Sequence, residues 1–230
     1  MNTFTTTQVT TQFTAEVTAP IAVVLNVPAG RVQLIAADRT DATVQVRPAD
    51  PGKGRDVKAA EQTTVEFTDG TLHVHAPAGG GLTGSGSVEV TVQLPAGSRV
   101  RGEAAATELR GVGRLGEVVF EGAYRHIKLD EAAGMRLTAA DGDVQVGRLT
   151  GPAAISTQRG AIRIGEATGG QVELSTRSGD ITIGAAAGVP AVLDAGTAHG
   201  RITNTLANDG NPRLLVRATT SQGDITARSL

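Results

Sequence analysis

A short phrase, Gly-x-Ile/Val-x-apolar, returns along the second half of this 230-residue chain and limits what it can fold into. It reads Gly142-Asp143-Val144-Gln145-Val146, then Gly160-Ala161-Ile162-Arg163-Ile164, then Gly179-Asp180-Ile181-Thr182-Ile183. Looser copies start at Gly200 and Gly223, so the glycines stand 18, 19, 21 and 23 residues apart. Each interval holds a second alternating segment at a fixed offset. Seven and five residues before the glycine lie Met135 and Leu137, Ala153 and Ile155, Val172 and Leu174, Leu193 and Ala195, Val216 and Ala218. Three residues before it the row is Ala139, Thr157, Thr176, Thr197, Thr220. Two period-2 segments per unit in constant register predict two strands per unit.

Such a unit cannot bury its apolar stripe alone, so neighbours must stack at the ~4.8 Å spacing of strands. The expected fold is all-β: a right-handed parallel β-solenoid of roughly 20-residue coils. Val144, Ile162, Ile181, Ile202 and Ile225 should form one inward ladder in that order, with Gln145, Arg163, Thr182, Thr203 and Thr226 facing out. Fainter copies extend the register back through Ile127 and Leu129, Val118 and Phe120, and Thr107 and Leu109. A helix over 103–109 is the competing local reading, because Ala and Glu favour helices.

Composition fits a thin coil better than a thick globule. There are 30 Gly, one Tyr, four Phe and no Trp, whereas a compact enzyme core usually packs several large aromatic rings. The formal charge of −2 gives no field for steering onto nucleic acid or an anionic surface. Having no Cys excludes disulfides, thiolate metal sites and a Cys nucleophile.

Residues 1–100 show no repeat but alternate at 21–25, 32–36, 44–46, 65–67, 72–75 and 88–94, with turns at Asp50-Pro51-Gly52 and Asp69-Gly70. This half reads as an irregular β cap, and 101–230 as the solenoid, the two forming one continuous elongated domain. The run 79–86 reads as a flexible Gly-rich loop.

The Gly-Asp-Ile/Val phrases at Gly142, Gly179 and Gly223, with the turns Val27-Pro28-Ala29-Gly30 and Leu94-Pro95-Ala96-Gly97, resemble the bacterial putative-adhesin family. Its members are domains of unknown function described by β-strand repeats, and the likeness covers essentially the whole chain. The resemblance implies a β-solenoid, envelope- or stress-associated in some members, with no established catalytic residues to carry over. The membrane anchor of many relatives is not seen in this sequence.

Few residues invite chemistry. His73 and His75 share one strand face at a spacing that could chelate a metal, with no evident third ligand. Asp143, Asp180 and Asp224 occupy one row, but Ala161 and Arg201 interrupt it, so turn-stabilising hydrogen bonds are the simpler reading. Gly111-Val112-Gly113-Arg114-Leu115-Gly116 matches a dinucleotide fingerprint, which needs a helix after it, yet Glu117–Glu121 alternates like a strand. No nucleophile elbow, phosphate loop or zinc-helix motif is present.

The expectation is a non-enzymatic scaffold or adhesin-like binding module without cofactors. Its flat outer faces or C-terminal edge would contact a protein, a cell-envelope polymer or a second copy, but not nucleic acid. A carbohydrate-active parallel β-helix is the alternative and would need two close carboxylates in a cleft. Self-association is expected at the last phrase, Gly223, Asp224, Ile225, Thr226 and Ala227. Without a signal peptide or membrane-spanning segment, the chain as written reads as cytoplasmic, with envelope association through a partner.

Overall fold

A computed structural model describes residues 3–7, 10–78, 86–123 and 126–230; all structural statements below concern these residues. In chain order the strands open with β1 (Thr3–Thr7), β2 (Thr10–Glu16), β3 (Ala22–Asn26), β4 (Ala29–Ala37) and β5 (Asp41–Pro48). Helix α1 (Gly54–Glu61) intervenes before β6 (Thr64–Thr68), β7 (Thr71–His75), β8 (Val88–Pro95) and β9 (Arg99–Glu103). Two long strands follow, β10 (Ala106–Ala123) and β11 (Ile127–Asp141). Shorter ones complete the chain: β12 (Val144–Leu149), β13 (Ala153–Arg159), β14 (Ile162–Ala167), β15 (Gly170–Ser178) and β16 (Ile181–Ala185), then β17 (Ala191–His199), β18 (Ile202–Thr205), β19 (Leu214–Gln222) and β20 (Ile225–Ser229). The helix expected as a competitor over 103–109 is absent: β9 and β10 occupy that stretch.

All twenty strands belong to one hydrogen-bonded sheet, arranged as two ladders that share β10 and β11. The first ladder runs β6, β7, β3, β9, the second half of β10, the second half of β11, β13, β15, β19, β17. The second runs β1, β2, β5, β8, β4, the first half of β10, the first half of β11, β12, β14, β16, β20, β18. From β7 and β8 onward every pairing is parallel, and each level holds one strand from either ladder. The result is an all-β, β-solenoid-like fold.

The predicted register holds from Ile127 and Leu129 onward, whereas the faint copy before them lies two residues out: Leu109 pairs with Ile127 and Gly111 with Leu129, where Thr107 and Leu109 were expected. Ile127 pairs with Val144, Val144 with Ile162, Ile162 with Ile181 and Ile181 with Ile225, and the last four of these are at most 1% exposed. Each such side chain removed from water stabilises the stack by about 1.5–3 kcal/mol. Thr157, Thr176 and Thr220 lie in the same interior.

The order of the levels departs from expectation. The last coil, β19 with β20, is not at the end of the stack. It lies between β15/β16 and β17/β18, so Ile225 pairs with both Ile181 and Ile202. The expected edge at Gly223–Ala227 is therefore corrected: β20 is hydrogen-bonded on both sides, and the free edges are β17 and β18. One inward position accounts for the exchange. Ala227, fully buried, pairs with Ile183 on one side and Asn204 on the other. Were β18 interior, the Asn204 amide would be enclosed without partners at a cost of about 1–3 kcal/mol. At the end it stays exposed, and its Oδ1 accepts the backbone N–H of Leu206 at 3.1 Å.

The first hundred residues are more regular than an irregular cap. β3/β4 is already a parallel coil, flanked by β7/β8 outside and β9/β10 inside, so parallel pairing crosses residue 100 unbroken. Here too the chain's outer coil is not its first. The exposed side of β7/β8 is covered by antiparallel β6, β5, β2 and β1 and by α1. α1 buries Ala59 and Ala60, and its Asp56 carboxylate accepts the Ser87 backbone N–H at 2.9 Å.

Candidate interaction surfaces

Parallel stacking converts sequence rows into spatial columns. On the outer side of the first ladder one column reads Glu103, Glu121, Thr138, Ser156, Ser175, Thr219, Gly196. Beside it runs Arg101, Val119, Arg136, Ala154, Glu173, Arg217, Asp194. The four hydroxyl side chains are exposed and repeat at the ~4.8 Å strand spacing. Small Ala154 lowers the floor between Arg136, Glu173 and Arg217, leaving a shallow groove that Ser156 and Ser175 also line. Arg217 Nε lies 3.2 Å from the Asp194 carboxylate, and Gln171 donates to Glu173 at 2.9 Å. Arg136 is exposed and has no ion-pair partner among the described residues.

Upstream on the same face, Glu103 and Glu121 are in register on neighbouring strands and both exposed. They line a concavity with Asn26, Pro28, Ala104 and Ala105. Sequence reading missed this pair, because the column joining residues 103 and 121 is set in the half of the chain where the repeat was faint.

His73 and His75 both point outward from β7, as their spacing required. His73 stands opposite Glu66 on β6 and Val24 on β3, and His75 opposite Thr64 and Asn26. No group of three His, Cys, Asp or Glu side chains able to hold a metal occurs among the described residues.

The aspartate row has a structural use. Asp143 Oδ1 accepts the N–H of Ala161 at 2.8 Å, Asp180 that of Asp224 at 2.8 Å, and Asp224 that of Arg201 at 2.7 Å. These bonds join adjacent coils rather than closing their own turns. Gly111–Gly116 lies inside β10, with strand on either side, so no helix N-terminus is offered to a pyrophosphate.

The end of the stack is the other distinctive surface. Ile202 is 43% exposed, and Leu193, Ala195 and Leu206 are only half-buried; Val192 belongs to the outer face, in register with exposed Leu215. One level inside, Val216, Ala218 and Ile225 are at most 3% exposed. No helix among the described residues is long and apolar enough to cross a membrane.

These features define a class: an all-β, solenoid-like protein with broad ladder faces and an uncovered terminal coil. The Toastrack DUF4097 family matches residues 22–229, and the chain belongs to it. No curated protein matches the sequence. Among solved structures it is similar to a putative adhesin from Parabacteroides distasonis, 14% identical with a TM-score of 0.42, covering 94% of this chain and 96% of that one. It is also similar to a putative cell adhesion protein from Clostridium sporogenes, at 10% identity and TM-score 0.38, covering 95% and 99%. A putative lipid binding protein from Parabacteroides distasonis is 10% identical with a TM-score of 0.29, covering 94% and 96%.

Proposed function

We propose that this protein is a non-enzymatic binding module, a right-handed β-solenoid whose flat first-ladder face docks a cell-envelope polymer or protein. The observation behind this reading is the exposed hydroxyl column Thr138, Ser156, Ser175, Thr219 running beside unpaired Arg136. Hydroxyls can donate and accept, and an unpaired guanidinium adds a charge-assisted donor, so an extended polar chain can be followed across four coils. Co-sedimentation with purified cell-wall sacculi tests it. Arg136→Ala combined with Ser175→Ala should lower the bound fraction while the thermal midpoint holds. Equal binding by the parent and the double variant overturns the assignment to this face.

The carbohydrate-active reading is favoured by one observation, the registered Glu103 and Glu121 carboxylates. Incubation with the same sacculi decides between the two. New reducing ends that vanish in Glu121→Gln establish an enzyme, whereas binding without release supports the module.

A further inference from the structure

The terminal coil is built differently from every other level. β17 is the last strand of its ladder, and no strand pairs with its free side; there the Ala191 N–H donates to the Ala207 carbonyl at 2.9 Å, and the stretch 193–197 has no backbone partner on that side among the described residues. It carries no Lys, Arg or Pro, the devices that normally blunt such an edge. Below it the inward row, Leu193, Ala195 and Ile202, is left partly in water. The opposite end of the stack is closed by antiparallel strands and α1, so the open end has no matching counterpart there.

The geometry points to a second copy of this chain as the occupant: two molecules join through β17, antiparallel, about a two-fold axis near Ala195. The strand is self-complementary in this arrangement. Pairing about Ala195 sets Leu193 opposite the copy's Thr197 and Val192 opposite its Ala198. Each Asp194 meets the copy's Gly196, never another carboxylate. Asp194 is already neutralised by Arg217 of its own chain at 3.2 Å. An isologous contact of this kind uses both open ends at once and closes at two. The inference is independent of the outer-face reading, since it uses the end of the stack.

Gly196 makes the register testable. A Cβ there meets nothing within 4 Å, so a side chain can start from this position without a clash in the monomer. Sedimentation velocity of the full chain across micromolar concentrations should show a dimer. Gly196→Asp sets two like-charge pairs across the two-fold and should weaken dimerisation about tenfold, whereas Gly196→Lys faces Asp194 and should keep or tighten it. Thermal midpoints of both variants should match the parent. A monomeric parent chain, an open series of larger assemblies, or equal effects of Asp and Lys would each overturn the proposal.

Discussion

The Thr176 hydroxyl donates a hydrogen bond of 3.1 Å to the carbonyl oxygen of Gly160, one coil away. The same relation recurs from Thr220 to Gly179 at 3.1 Å and from Thr197 to Gly223 at 3.0 Å. At three of the five corner glycines a threonine three residues earlier thus holds the neighbouring corner, tying the two rows read from the sequence together; Thr157 instead donates to the Arg159 carbonyl at 3.1 Å, and the first position of the row is Ala139. Thr176→Val, which keeps the shape and removes the donor, should destabilise the protein by about 1–2 kcal/mol. Thr176→Ser should recover most of that loss, as read from urea midpoints.

The corners themselves admit no side chain. Gly179 has φ of +150°, and a Cβ on it would lie 2.1 Å from the Gly160 carbonyl oxygen. Gly179→Ala must therefore push two coils apart and should lower the thermal midpoint clearly, while Gly196→Ala, with open space around it, should leave the midpoint near that of the parent. Matching midpoints for the two would contradict the stacked corner.

The inward ladder predicts a sharp contrast between adjacent residues. Ile181→Asp places a charge between Ile162 and Ile225 at a fully buried position and should cost several kcal/mol. Thr182→Asp, on the opposite face, should change the denaturation midpoint little.

The exchanged coil order has its own test. Ala227→Asn buries in β20 the amide that β18 carries harmlessly, and should cost about 1–3 kcal/mol. Asn204→Ala should be close to neutral in equilibrium unfolding. If the two substitutions proved equivalent, the reason given for the order would fail.

Acid should act through Asp41. The hydrogen bond from Arg39 holds its carboxyl below the ordinary value. Arg39 also bridges to Gln93, joining the β4–β5 turn to β8. Because the folded pKa is lower than the unfolded one, this stabilisation is complete above the unfolded value of about 4 and is lost as pH falls through the folded value. Asp41→Asn should flatten that part of the pH–stability curve in acid titrations followed by circular dichroism.

The repeat was legible because inward positions such as Ile162 and Ile181 recur at nearly constant intervals, and the structure pairs them as read. The order of coils was not, because a repeat pattern fixes which residues pair but not which coil lies next to which. Two signals bore on it. The intervals lengthen to 21 and 23 residues where the chain must step over a level through 186–190 and back through 206–213, and Asn204 breaks an otherwise apolar row. In the first half α1 and the 76–87 connection stretch the spacing beyond recognition, so β3/β4 and β7/β8 read as isolated strands. The Glu103 and Glu121 pair was hidden because the faint copy at Thr107 and Leu109 sets the register two residues out, putting Arg101 in place of Glu103 opposite Glu121, whereas His73 and His75 needed only the two-residue pleat of one strand.

Tucking β20 between β16 and β18 changes how the molecule would bear a load. A pull on Leu230 along the strand meets two parallel ladders in shear, Ile181–Ala185 on one side and Ile202–Thr205 on the other. All of their hydrogen bonds must yield together. Had the last coil lain outermost, β20 would have borne on one ladder alone, with half as many bonds to resist the pull. Held between two ladders, β20 resists being drawn out of the stack, where an outermost strand would peel away.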